Sequence, residues 1–167
     1  AFAEDPLRLL RIARFAARFP EFMVAPETMS ALQAIVQSNE LSALSAERIW
    51  QELARGLIAN KPVRMFQVLL DADAAKTLLP SRLTSHLAQE EFREQLIAHL
   101  HAADNRLEDR CAVTLMYLPA SEIRLWAECV KMPNEVRDFS EIFSELNALI
   151  AKSINDVAVS YQPADVL

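Results

Sequence analysis

Glycine is nearly absent: the 167 residues contain one, Gly56, against eight prolines. A sheet protein of this size needs glycine in its turns, so the shortage argues against β architectures and leaves an all-α fold as the expectation. The same shortage leaves no glycine-rich segment in this chain to hold a phosphate. Cysteine is scarce too. Cys111 and Cys129 have neither metal-ligand spacing nor a disulfide-rich setting, so a reduced, cytoplasmic chain is expected. No apolar run approaches a membrane span and no signal peptide is visible, so no membrane partner is expected. Apolar bulk is plentiful: 52% of residues are hydrophobic, enough for one large or two small cores. The net charge of −6 argues against a general nucleic-acid binder, but it is unevenly spread. Residues 1–82 carry ten basic against nine acidic residues, and residues 83–167 carry seven against fourteen. Any polyanion should therefore meet the N-terminal half.

Prolines and caps divide the chain into helical segments. Asp5 and Pro6 suit a helix start, and that helix should run to about Phe19 and stop at Pro20. "APETMSALQAIVQ" begins another, with Met29, Leu32, Ile35 and Val36 at helical spacing. "SAERIWQELARGLIA" has Ser45 as N-cap and a stripe of Ile49, Trp50, Leu53, Leu57 and Ile58. Trp50 on that stripe reads as core rather than as a base-stacking platform. "PVRMFQVLLDADAAKTLLP", "TSHLAQEEFREQLIAHLHAA", "RLEDRCAVTLMYL", "SEIRLWAECVKM" and "NEVRDFSEIFSELNALIAKSI" complete the series, and "VSYQPADVL" reads as a loosely held tail.

The most informative stretch is the first, "AFAEDPLRLLRIARFAARF". Arg8, Arg11, Arg14 and Arg18 recur at helical spacing, and like charges so placed destabilise an isolated helix by a few tenths of a kcal/mol per pair. Negative charge should therefore lie nearby, on the fold or on a ligand. Asp5 and Arg8, at i and i+3, project from one face; the plainest reading is an ion pair near a helix start.

Glu4-Asp5-x-x-Arg8, then Arg11, then Arg14-Phe15-x-x-Arg18, resembles two consecutive motifs of the bacterial class II tRNA nucleotidyltransferases, the CCA-adding enzymes. "VAPETM", "SAERIWQEL" and "MFQVLLDADAAKTLLP" continue the resemblance through about residue 82, and "KMPNEVRDF" resembles a stretch in the C-terminal region of enterobacterial members. The bacterial poly(A) polymerases share the first motif. The resemblance implies a neck helix and turn over residues 1–28, RNA-binding neck and body helices over 29–82, and a C-terminal helical region over 83–167. It also implies that Asp5 and Arg8 read the incoming base. Arg11 is expected at the nucleotide's phosphates, with Glu4, Arg14 and Arg18 supporting the helix through ion pairs.

The chemistry of an Asp–Arg pair agrees. Cytosine and adenine show an amino donor beside a ring-nitrogen acceptor, whereas uracil and guanine reverse that arrangement. An ionised Asp only accepts and an Arg only donates, so the pair suits C and A. A wrong base leaves buried polar groups unpaired, which is a strong ground for rejection.

Nucleotidyl transfer also needs carboxylates that hold two metal ions. Asp71-Ala72-Asp73 imitates such a pair but falls where a turn is expected. The resemblance places the Mg2+ ions and the catalysis on an N-terminal palm domain that these residues do not include. This chain alone is therefore expected to be inactive, and Ala1, standing inside a motif, suggests a fragment or a processed product. Further on, Met116 and Tyr117 stand where relatives with a phosphohydrolase domain carry a histidine–aspartate dyad, and Asn147-Ala148 stands where they carry another. A helical region without its metal site is expected there. His86, His99 and His101 read as ordinary surface histidines. Arg48, Arg55, Lys61, Arg64, Lys76 and Arg82 are available to the phosphates of a tRNA acceptor arm. The reading is thus the C-terminal part of an enzyme that selects CTP and ATP and binds tRNA. The alternatives are a poly(A) polymerase, a partial (A- or CC-) adding enzyme, or a non-enzymatic helical interaction module.

Overall fold

The computed structural model describes residues 5–160, so Glu4 and the tail from residue 161 lie outside the described residues. Among the described residues there is no strand; ten α-helices and one 3-10 turn follow one another. They are α1 (Leu7–Arg18), α2 (Pro26–Gln37), the 3-10 turn (Glu40–Ala43), α3 (Ala46–Leu57), α4 (Pro62–Asp71), α5 (Ala75–Leu78), α6 (Ser81–Leu87), α7 (Glu90–Ala102), α8 (Leu107–Leu115), α9 (Ala120–Val130) and α10 (Asn134–Ser160). The all-helical expectation holds.

α1 packs chiefly on α4 and α3, and α10 on α8 and α9, while α3 also touches α8 and α9. One apolar core therefore runs from Leu7 to Val136. The buried face of α1 is Leu7, Leu9 and Leu10 followed by Ala13, Ala16 and Ala17. Its second half is made of small side chains, which lets the neighbouring helices approach closely. The single glycine serves a similar contact. A Cβ on Gly56 would sit 2.1 Å from the Met65 sulfur, so only glycine fits where α3 meets α4.

Several segments end differently from the sequence expectation, whereas "PVRMFQVLLDADAAKTLLP" divides at the turn expected over residues 71–73, with Asp73 in the left-handed conformation at φ 60°. The Ala74 N–H reaches back to the Leu69 carbonyl at 2.8 Å and the Asp73 N–H to that of Leu70 at 3.0 Å, which closes a Schellman turn. "TSHLAQEEFREQLIAHLHAA" also divides, at Ala88 and Gln89, into α6 and α7. α10 continues past Ile154 to Ser160, so Val159 and Ser160 are helix rather than tail. Ser45 caps α3 as expected, its hydroxyl accepting from the Arg48 N–H at 3.4 Å. Trp50 is buried edge-on to Trp126, and Leu53 and Leu57 are buried with it. Ile58 is not: α3 ends one residue earlier, and Ile58 is turned to solvent.

α9 closes with a second Schellman turn, Met132 N–H to the Ala127 carbonyl at 2.8 Å, and its left-handed residue is Lys131 at φ 57°. A side chain there crowds the following carbonyl, which glycine avoids. Lys131→Gly should accordingly raise stability by about 0.5–1 kcal/mol in urea unfolding.

The two thiols differ sharply. Burial pushes Cys111 up to about 12, partly offset by a hydrogen bond with Ser140, whereas Cys129 is exposed. A thiol reagent should therefore modify Cys129 in the folded protein at neutral pH and reach Cys111 only after denaturation.

Candidate nucleotide-binding surface

The surface begins where α1 begins. Asp5 accepts from the Leu7 N–H through Oδ1 at 3.1 Å, and its carbonyl accepts from the Arg8 N–H at 2.8 Å. One carboxylate oxygen therefore starts the helix, and the other, Oδ2, faces outward. Oδ2 lies 3.7 Å from Arg48 Nη2 and 4.0 Å from Arg11 Nη1. Both distances exceed hydrogen-bond length, so neither guanidinium takes up the acceptor capacity of Oδ2. Asp5, Arg11 and Arg48 are each about half exposed, and Arg8 is exposed on the same helix. The sequence-predicted trio Asp5, Arg8 and Arg11 is thus gathered at one end of α1. Arg48, on the first turn of α3, joins it from 43 positions away in the sequence. No spacing in the sequence pairs Arg48 with Asp5; only the packing of α3 on α1 brings it there.

The support lies further along the same helix. Arg14 Nε donates to Glu52 Oε2 at 2.6 Å, and Arg55 stands 3.8 Å from the other oxygen. The Glu52 side chain is 7% exposed, so this carboxylate is buried between α1 and α3 with Arg14 as its close partner. Arg14 meets the carboxylate expected of it. Arg18 does not: among the described residues its guanidinium meets no carboxylate and instead lies over the Phe19 ring, 5.4 Å from the centroid. The reason is positional. α1 ends at Arg18, and Phe19 turns the chain so that its ring, stacked on Phe15, lies beneath the guanidinium.

Carbonyls at the end of α1 are also taken up. Arg64 donates to the Pro20 carbonyl at 3.0 Å and to that of Phe22 at 2.6 Å, and the Lys61 N–H reaches the Ala17 carbonyl at 2.9 Å. Arg64, read from sequence as a phosphate contact, is therefore a clamp on the turn between α1 and α2. Arg82 is similarly held by Glu122 at 3.0 Å. Lys61 and Lys76 are exposed.

No catalytic metal pair appears in the Asp71-Ala72-Asp73 turn. Asp71 accepts from Gln67 at 2.9 Å, and Asp73 is the left-handed residue that ends α4. Among the described residues, no group of three or more His, Cys, Asp or Glu side chains is placed to hold a metal ion. Met116, Tyr117 and Asn147 do converge, lining a cavity of about 490 Å3 with His99, Asp104 and Asp109. Asn147 Nδ2 donates to the Met116 carbonyl across it at 3.3 Å. His86 is not a surface histidine: it is partly buried and stacked on Phe92 at 5.0 Å.

Residues 21–83 match a family described as "Probable RNA and SrmB- binding site of polymerase A". Over 80 residues, 48% of this chain, the sequence is 60% identical to the "Multifunctional CCA protein" of Dechloromonas aromatica (strain RCB). It is 61% identical over the same length to that of Janthinobacterium sp. (strain Marseille) and 58% to that of Azoarcus sp. (strain BH72). The matched region is thus similar in sequence to these CCA proteins. It spans 19% of the length of each of these relatives. No solved structure matches the chain. Among the described residues, no helix is long and apolar enough to cross a membrane.

The Glu52 carboxylate fixes how α1 sits, which gives a direct prediction. Arg14→Ala leaves a buried charge without its close partner and should cost about 3 kcal/mol in urea unfolding. Replacing both residues, Arg14→Met with Glu52→Leu, should cost clearly less than the single change.

Proposed function

We propose that this chain is the base-reading and RNA-binding part of a CCA-adding tRNA nucleotidyltransferase. Asp5 and Arg8 select CTP and ATP, and Arg11 serves the triphosphate. The observation that carries the proposal is the position of Asp5: one oxygen is spent starting α1, and the other is outward and open to an amino donor. Such a carboxylate accepts from the exocyclic amino group of cytosine or adenine. A neighbouring guanidinium donates to the adjacent ring nitrogen. Because the helix is anchored through Arg14 and Glu52, the pair holds its spacing without a nucleic-acid template. Arg48, beside Asp5, helps keep the carboxylate directed.

The curated relatives named above are all called CCA proteins, which supports C and A addition over adenosine alone. The family description, which names polymerase A, supports poly(A) addition as the second reading. In either case the metal ions and the transfer step belong to a palm domain, since Asp71 and Asp73 do not form a metal site here. tRNA is the proposed polynucleotide partner, met by the more basic half of the chain with Lys61 and Lys76 exposed upon it.

The test uses an enzyme in which this chain is joined to its palm, with tRNA ending before its CCA as acceptor. Single-nucleotide incorporation is measured for CTP, ATP, UTP and GTP. Asp5→Ala and Arg8→Ala should each remove on the order of 1–3 kcal/mol of transition-state stabilisation from C and A and much less from U and G. Discrimination then falls by roughly tenfold to a hundredfold. Arg11→Ala should weaken all four nucleotides about equally. Unchanged ratios in the Asp5 and Arg8 variants would return the pair to a purely structural role. Incorporation of ATP but never CTP by the parent enzyme would favour the poly(A) reading.

A further inference from the structure

We propose that the cavity between α4, α7 and α8 binds a small phosphomonoester, with Arg110 as its phosphate-binding residue. The cavity encloses about 540 Å3, a size usual for small-molecule sites. None of Asp5, Arg8, Arg11 and Arg48 lines it, so it is separate from the surface at the start of α1. Its wall is cationic although the chain carries a net charge of −6: Lys61, Arg64, Arg93 and Arg110 all contribute. Among the described residues none of these four forms an ion pair. Arg64 donates to the carbonyls of Pro20 and Phe22, and Arg93 to that of Leu87 at 2.7 Å.

Arg110 is the least satisfied of them. Its Nη1 lies 3.5 Å from the Leu57 carbonyl and 3.4 Å from that of Ala59, both long for a hydrogen bond. Its Nε is buried with no partner at all, and no other side-chain nitrogen or oxygen among the described residues is in that condition. Carbonyls do not neutralise a guanidinium, and a partly buried cation without a counter-ion is costly. Glu90 and Glu94 line the cavity too, but both are exposed and neither pairs with any of the four cations. The wall therefore keeps an excess of two positive charges.

Charge and shape together select the ligand. A phosphomonoester carries about −1.5 to −2 charge at neutral pH and three acceptor oxygens, which matches that excess and suits the planar fork of Arg110. The rest of the wall is apolar: Val63 and Leu100 are buried, and Ile97 is 54% exposed. Inorganic phosphate alone would leave this part bare, whereas the organic body of a phosphomonoester covers it. Glu90 and Glu94, at the exposed margin, accept from hydroxyl or amino groups on that body. A phosphodiester inside an RNA duplex is a poorer fit. It carries a single charge and sits in a stiff double strand, and a buried nitrogen is reached by a free end.

Phenyl phosphate is the probe, because it joins a dianion to an apolar body and has no base edge for Asp5 and Arg8 to read. It is titrated into the 167-residue chain at about pH 7.5, where the phosphate is dianionic, and followed by two-dimensional proton–nitrogen NMR. The Arg110 Nε–H and Ile97 amide signals should shift to saturation, and inorganic phosphate should move the same signals with weaker affinity. Reading the signals residue by residue separates this cavity from phosphate drawn to Arg11. Arg110→Gln should weaken binding roughly tenfold or more. Ile97→Glu changes an exposed position, so the fold should hold, and the added carboxylate should weaken binding similarly; it decides the matter if Arg110→Gln fails to fold. No saturable shift at the cavity would overturn the proposal. So would binding indifferent to both substitutions. A blunt RNA duplex with hydroxyl ends that moved these signals more strongly than phenyl phosphate would also overturn it, making the cavity a polynucleotide contact.

Discussion

The Glu52 carboxylate, buried between α1 and α3 and bound by Arg14 at 2.6 Å, is the constraint on which the proposed site depends. A buried charge tolerates little displacement, because losing its partner leaves the full desolvation penalty unmet. α1 therefore cannot roll or slide without separating Arg14 from Glu52. Arg8 and Arg11 lie on the exposed part of the same short helix, so fixing one side of α1 also fixes where they stand. The same contact holds α3 against α1, and α3 brings Arg48 to Asp5. A structural ion pair further along α1 and an open carboxylate at its start are two consequences of one docking.

Arginine also does work that glycine and polar caps do in many helical proteins. Arg64 takes the carbonyls of Pro20 and Phe22, Arg93 that of Leu87, and Arg110 lies within 3.5 Å of those of Leu57 and Ala59. Each guanidinium meets carbonyls at a helix end, where the partial negative charge of the helix collects. Left-handed positions fall to Asn39, Asp73 and Lys131 for the same compositional reason. A chain with a single glycine closes its helices with long cationic side chains and accepts mild backbone strain at three turns. That also explains why Arg64, read as a phosphate contact, is turned inward.

Much of the fold was legible in the sequence because helix boundaries follow proline, caps and apolar spacing, all local signals. The start of α1 at Asp5 and Pro6, the Ser45 cap and the burial of Trp50 belong to this class. The misreadings were of features that local patterns do not encode. Arg18 lies over the Phe19 ring rather than meeting a carboxylate, because the chain turns at Phe19 beyond the end of α1. Arg48 comes to Asp5, and Arg64 to the Pro20 turn, only through packing between segments some 40 residues apart. Asp5, Arg8 and Arg11 were singled out through motif resemblance; Arg48 beside them needed the three-dimensional fold.

The central claim, that Asp5 and Arg8 meet the Watson–Crick edge of the incoming base, is tested most directly by a crystal structure. This chain would be joined to its palm and bound to CTP. The account predicts Asp5 Oδ2 at about 2.7–3.2 Å from the cytosine amino nitrogen, with an Arg8 guanidinium nitrogen at the same range from the ring nitrogen. The Arg14–Glu52 contact should be unchanged. A bound cytosine whose edge faces other residues, with Asp5 still turned only to Arg11 and Arg48, would contradict it.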